Sequence, residues 1–156
     1  MKSLNNYGFN TSNLFYTIAE IGINHGGDID LAKKLIDSAA KTGVDSVKFQ
    51  TYLTEKRVPA DSPIFDILKQ SELPFEAFGE LKLHAQDRGI EFFSTPFDDE
   101  SIECLEDINV NLYKVASFDV VNHKLLRRLC LNTEKTVIMS VGMANLEEIK
   151  TAFQIL

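Results

Sequence analysis

Three charged residues stand where a folded chain has least use for charge. Glu20 falls among Ile18, Ala19, Ile21 and Ile23, Lys48 between Val47 and Phe49, and Lys114 between Tyr113 and Val115. A lone charge in a buried strand carries a large desolvation cost, so each must meet a partner or serve a site. For Glu20 the readings are a buried ion pair and a catalytic acid or base, and the residue by itself leaves them even. One buried lysine can snorkel to a carboxylate. Two on one face, with hydroxyls from Ser94, Thr95, Ser117 and Ser140 close by, make a cradle for an anion such as phosphate, the lysines acting as point charges and the hydroxyls as donors.

The elements that must position these residues alternate along the chain. Residues 15–28 read as a strand running into the polar, flexible loop Asn24-His25-Gly26-Gly27, with Asp28 as a helix cap. A helix over 29–42 places Leu31, Leu35, Ile36 and Ala39 on one face and stops at Gly43. Strands follow at 44–50, 90–95, 112–117 and 136–141. Helices open at Pro74, Asp98, Asn122 and at Asn145, which forms a capping box with Glu148. Between the second strand and the Pro74 helix, residues 51–73 read as an elaborated loop over a site, with a short helix near 64–69. His84, on the polar face of the Pro74 helix, reads as an ordinary solvated residue.

Strands alternating with amphipathic helices specify an α/β fold of parallel (β/α) units with right-handed crossovers. A doubly wound open sheet and a (β/α)8 barrel both satisfy this pattern. A barrel needs about 250 residues for eight units, so here it would be the first five strands of a truncated one, and a last helix ending at Leu156 without a cap favours that expectation. In either case the carboxyl ends of the strands line one crevice. That crevice collects Glu20, Asn24, His25, Lys48, Gln50, Ser94, Thr95, Lys114, Ser117, Asp119 and Ser140. The glycines between 22 and 27 lack dinucleotide or Walker spacing, which argues against a nucleotide cofactor.

Composition narrows the partners. With 44% apolar and 25% charged residues, the expectation is one globular domain over 15–156 behind a polar extension at 1–14. That extension lacks the cationic and apolar succession of a signal peptide or anchor, so a cytoplasmic location without membrane contact is expected. A net charge of -7 argues against nucleic acid. Cys104 and Cys130 fall on apolar helix faces without metal-type spacing and read as buried thiols.

Five runs in fixed order carry a resemblance: Ile-Ala-Glu-Ile-Gly-Ile-Asn-His-Gly-Gly at 18–27, Val-Lys-Phe-Gln-Thr at 47–51, Phe-Phe-Ser-Thr-Pro-Phe-Asp at 92–98, Tyr-Lys-Val-Ala-Ser at 113–117 and Met-Ser-Val-Gly-Met at 139–143. Together they resemble the amino-terminal half of the sialic acid synthase family. The resemblance implies a (β/α)8 barrel that condenses phosphoenolpyruvate with an N-acetylated amino sugar to give a nonulosonic acid. It implies that Lys48, Lys114, Ser117 and Ser140 hold phosphoenolpyruvate, with Asn24, His25 and Thr95 beside them. Glu20 is then the acid/base carboxylate, and Gln50 with the loop after it faces the sugar. It further implies a homodimer at full length and a divalent metal, Mn or Mg, whose histidine ligands are expected beyond Leu156, so that none of the metal ligands is assigned within this chain and the chain by itself is expected to be inactive. Asp119 stands where many members carry a catalytic-site glutamate, and Val141 where a threonine is common. The Ser117-Phe118 pair is similar to that of members acting on bacterial deoxy-amino sugars. From another class, a non-catalytic half-barrel that binds anions or serves assembly stays open.

Overall fold

In the computed structural model the described residues are 9, 15–131 and 135–156, so the expected extension over 1–14 lies outside them except for Phe9. The strands are β1 (Ile18–Gly22), β2 (Ser46–Thr51), β3 (Glu91–Pro96), β4 (Leu112–Val115) and β5 (Thr136–Met139). The helices are α1 (Ile29–Lys41), α2 (Thr54–Arg57), α3 (Phe65–Ser71), α4 (Phe75–Asp87), α5 (Asp99–Asp107), α6 (His123–Cys130) and α7 (Leu146–Ile155). All strand pairs are parallel, and the sheet order is β1-β2-β3-β4-β5.

That order separates the two architectures left open by alternation. A doubly wound sheet reverses its strand order at a switch point and carries helices on both faces. Here each strand pairs with its neighbour in the chain, and the long helices pack in succession, α1 on α4, α4 on α5, α5 on α6 and α6 on α7. A sheet wound in one direction under a single helical layer is the arc of a TIM (β/α)8 barrel. The core lies between the two layers. Val47, Phe49, Phe92, Tyr113 and Val115 meet Ala32, Ile36, Phe78, Leu81, Ile102, Leu105 and Leu126, all nearly or fully buried.

The caps lie where the sequence puts them. Asp28 accepts from the Leu31 amide, Asp98 from Ser101 and Asn122 from Leu125, and Asn145 with Glu148 closes a full capping box. Some details differ. Leu31 lies off the buried stripe of α1, which is Ala32, Ile36 and Ala39. β4 ends at Val115, and Ser117–Val121 turns into a 3-10 helix instead of extending the strand. His84 is not simply solvated, because its Nε2 lies 2.8 Å from Asp37 Oδ1 and ties α4 to α1. Both cysteines are free; Cys104 is buried and Cys130 only partly so.

The excursion over 51–73 is tied down at several points. Tyr52 donates to the Leu68 carbonyl at 2.9 Å, the Thr54 amide to Glu72 at 2.7 Å and the Leu53 amide to Asp98 at 2.9 Å. It also presses on the β1–α1 loop. Gly27, at φ +82°, lies so near the Gln70 carbonyl that a Cβ there would fall 2.3 Å from the oxygen, so this position accepts only glycine.

Candidate active site

Side chains alternate across a strand. Since Val47 and Phe49 face the helices, Lys48 and Gln50 face the other side, the inside of the barrel arc. Register carries this inner face across the sheet. Glu20 pairs with Lys48, Lys48 with Phe93, Gln50 with Thr95, and Lys114 with Ile138. Ser94 pairs with Tyr113 on the helix side, which sets Thr95 beside Lys114 on the inner one. The inner face thus carries polar residues at two levels, Glu20 and Lys48 on one and Gln50, Thr95 and Lys114 on the next, with Phe93 and Ile138 as apolar members.

At its β1–β2 end, Lys48 Nζ sits 2.8 Å from Glu20 Oε2 and donates to Thr95 Oγ1 at 3.2 Å. Lys48 is buried. Glu20 is not, contrary to expectation: its side chain is 56% exposed, because β1 has a strand partner on only one side. At the β4–β5 end, Lys114 Nζ donates to Ser140 Oγ at 2.6 Å and to the Val115 carbonyl at 2.7 Å. Among the described residues no carboxylate ion-pairs with it. Burial pushes Lys114 below the ordinary lysine range; the like charge of Lys48 adds to this, and Glu20 opposes it.

A β-bulge between Glu20 and Gly22 ends β1, and Gly22 adopts φ +58°, where a side chain would be strained. A Cβ at Gly22 would lie 3.3 Å from Glu20 Oε1, 3.7 Å from Gln50 Nε2 and 3.9 Å from Asn24 Nδ2, so these three side chains converge on the bare glycine. Asn24 is fixed there by donating to the Ile21 carbonyl at 2.7 Å.

His25 does not join them. It is 1% exposed, stacks on Phe49 at 5.7 Å, and accepts the Gly27 amide at Nδ1. Burial pushes it below the usual histidine range, and Nε2 meets no protein partner among the described residues. Ser94 likewise leaves the inner face, sharing a 2.7 Å hydrogen bond with Thr51. Ser117 opens the 3-10 helix at the end of β4. Asp119 within it is 7% exposed, with Oδ1 accepting from Asn122 at 3.2 Å and Oδ2 without a hydrogen-bond partner among the described residues. Burial pushes its carboxyl up, against the pull of Asn122 and the Arg57 charge.

Arg57 and Phe97 are the residues that sequence reasoning passed over. Arg57 ends α2, lies 3.9 Å over the Phe97 ring and 4.7 Å over Tyr52, and donates to Gln50 Oε1 at 2.9 Å. Phe118, half exposed, stacks on Phe97 at 5.9 Å with planes 9° apart. The available signal was an aromatic residue just beyond each of β2, β3 and β4: Tyr52, Phe97 and Phe118.

The described residues contain no group of three His, Cys, Asp or Glu able to hold a metal ion, and no helix long and apolar enough to cross a membrane.

Known proteins share this arrangement. The N-acetylneuraminic acid (sialic acid) synthetase of Leptospira borgpetersenii, solved in complex with citrate, superposes with a TM-score of 0.87 at 38% identity, over 92% of this chain and 50% of that one. The N,N'-diacetyllegionaminic acid synthase of Campylobacter jejuni is 39% identical over 89% of this chain and 46% of its own length. The pseudaminic acid synthase of the same species is 32% identical over 90% of this chain and 45% of its own. The chain thus spans about half the length of the curated relatives it matches. With the NeuB family model matching residues 35–156, the chain belongs to the NeuB family.

Proposed function

We propose that this chain contributes the phosphoenolpyruvate-binding part of a nonulosonic acid synthase site, one that condenses phosphoenolpyruvate with an N-acetylated amino sugar such as N-acetylmannosamine or a bacterial deoxy-amino sugar. One observation carries the reading: Lys114 holds a half-buried positive charge whose hydrogen bonds, among the described residues, go to neutral oxygens. Such a charge is costly without an anion and favourable with one. Relatives named as sialic, legionaminic and pseudaminic acid synthases support the substrate class, and the Leptospira enzyme was solved with citrate, itself a polyanion.

In this reading Lys114, Ser140 and Ser117 receive one anionic end of phosphoenolpyruvate, and Lys48 with Thr95 the other. The enol carbon attacks the aldehyde carbon of the open-chain sugar, a carbon–carbon bond forms, and the carbonyl π pair passes to the aldehyde oxygen, which ends as a hydroxyl on taking up a proton that the added water supplies. Positive charge develops on the carbon that bears the phosphate, water adds there, and the carbon–oxygen bond to phosphate breaks. Glu20, partly open to solvent and beside Lys48, takes the proton of that water. Because the cradle is built before substrate arrives, it needs no reorganisation during the reaction. A divalent cation would polarise the aldehyde oxygen in a synthase of this kind. The described residues do not form a ligand set for it, and Asp119 offers a single free oxygen.

The test supplies phosphoenolpyruvate and N-acetylmannosamine, or its deoxy-diamino counterparts, to this chain joined to the remaining barrel units, and follows phosphate release. Phosphate appearing only when both substrates are present, with a nine-carbon acid by mass spectrometry, is the expected result. Phosphoenolpyruvate binding without sugar-dependent turnover would favour the anion-binding module instead.

A further inference from the structure

We propose that Arg57 is a positioning residue that fixes the Gln50 amide with its NH2 group turned into the crevice, making Gln50 an obligate donor to an acceptor oxygen of the amino sugar, a hydroxyl or an acyl carbonyl. This rests on the synthase reading of the site. The polarity follows from donor chemistry. A guanidinium has five N–H donors and no acceptor, so the Gln50 atom 2.9 Å from Arg57 Nη1 is the carbonyl oxygen. The amide nitrogen then points the other way, toward the bare Cα of Gly22, where the Glu20 carboxylate and the Asn24 amide also converge.

Arg57 is itself immobilised. Its guanidinium lies over two rings, Phe97 and Tyr52, and Tyr52 is anchored through its hydroxyl to the Leu68 carbonyl. Phe97 is backed by Phe118. A planar cation stacked in this way loses little further freedom when it binds an amide. Left free, Gln50 would present either end to a ligand and lose entropy on binding; the clamp removes both costs in advance.

Arg57→Met keeps an apolar stem against Phe97 and Tyr52 but removes the donors. In the complete synthase it should raise KM for the amino sugar several-fold, up to about tenfold, the range for a neutral hydrogen bond to the sugar, while KM for phosphoenolpyruvate and the melting temperature stay as they are. Gln50→Glu keeps the Arg57 contact, now as an ion pair, yet replaces the donor with an acceptor, and should give the same sugar-specific rise. An unchanged sugar KM in Arg57→Met, or an equal rise for both substrates, would overturn the proposal. If the parent protein makes no nine-carbon acid, the synthase reading falls and the clamp is read by nitrogen-15 relaxation on this chain. The Gln50 side-chain amide should be rigid in the parent and mobile in Arg57→Met, and equal mobility in both would overturn the clamp as well.

Discussion

Lys48 and Lys114 both face inward, on β2 and β4, and the two ends of the inner face treat them differently. Lys48 is buried and neutralised, with Glu20 at 2.8 Å and Thr95 at 3.2 Å. Lys114 is less buried, yet its nearest partners are a hydroxyl and a carbonyl, and its charge is disfavoured by burial and by Lys48. Residue type and inward facing are shared, so the difference comes from neighbours and level, Lys114 lying beside Thr95 and level with Gln50. One end has settled its charge internally and leaves a carboxylate open to water for proton transfer. The other holds a cation that a bound anion would stabilise.

The largest effect should come from breaking the first end. Glu20→Gln is nearly isosteric and should lower turnover of the complete synthase by about 10² to 10⁴, the usual contribution of a general acid or base. The melting temperature should fall only modestly, because Lys48 stays buried without its counter-ion while solvent already screens the Glu20 side of the pair. A destabilised but fully active variant would sink the catalytic role.

Next in size is the contrast between the lysines themselves. Lys114→Met should weaken phosphoenolpyruvate binding by about 1.5 to 3 kcal/mol without destabilising the unliganded chain, because it removes a half-buried charge with which no carboxylate among the described residues ion-pairs. Lys48→Met should also weaken binding but should lower the melting temperature, because Glu20 and Thr95 both lose their partner. Calorimetry with thermal melts on the two variants measures both axes. Matching stability changes would erase the proposed asymmetry.

A smaller effect separates the ends by pH. The folded-state pKa of Lys114 is depressed, so between that value and the ordinary 10.5 the unfolded chain binds more protons than the folded one. Unfolding free energy should therefore rise with pH through that window, and phosphoenolpyruvate affinity should fall as the lysine discharges. Both slopes should vanish in Lys114→Met. Smallest is Asp119, whose raised carboxyl pKa has the opposite sign: folded Asp119 binds more protons above 3.8, so stability is lost as pH rises through its folded value. Asp119→Asn should flatten that slope and raise the neutral-pH melting temperature by a few degrees, as melts at acid and neutral pH would show.

How much of this was legible in the sequence depends on the range of the interaction. Helix caps are local, so Asp28, Asp98, Asn122 and the Asn145–Glu148 box announced themselves. Strand pairing is long-range, and alternation alone fitted both a doubly wound sheet and a barrel; the motif resemblance pointed to the barrel, and the order β1-β2-β3-β4-β5 with one helical layer shows it. Lys48 and Lys114 were readable because each interrupts an apolar run. Glu20 shares that signal, but solvent reaches it, since exposure at an edge depends on which strands are present beside it. The turn of a loop residue is not written in its type: His25 packs on Phe49, while Asn24 next to it stays at the rim. Arg57 sat in the mixed 51–73 segment, and its role emerges only when Tyr52, Phe97 and Gln50 are folded around it.

The most direct measurement is a calorimetric titration of phosphoenolpyruvate into this chain and into its Lys114→Met variant at neutral pH, with the sheet checked by circular dichroism. Saturable binding by the parent chain, lost or weakened at least about tenfold in the variant, is the expected outcome. Identical isotherms from two equally folded proteins would contradict the anion cradle and return Lys114 to a structural role.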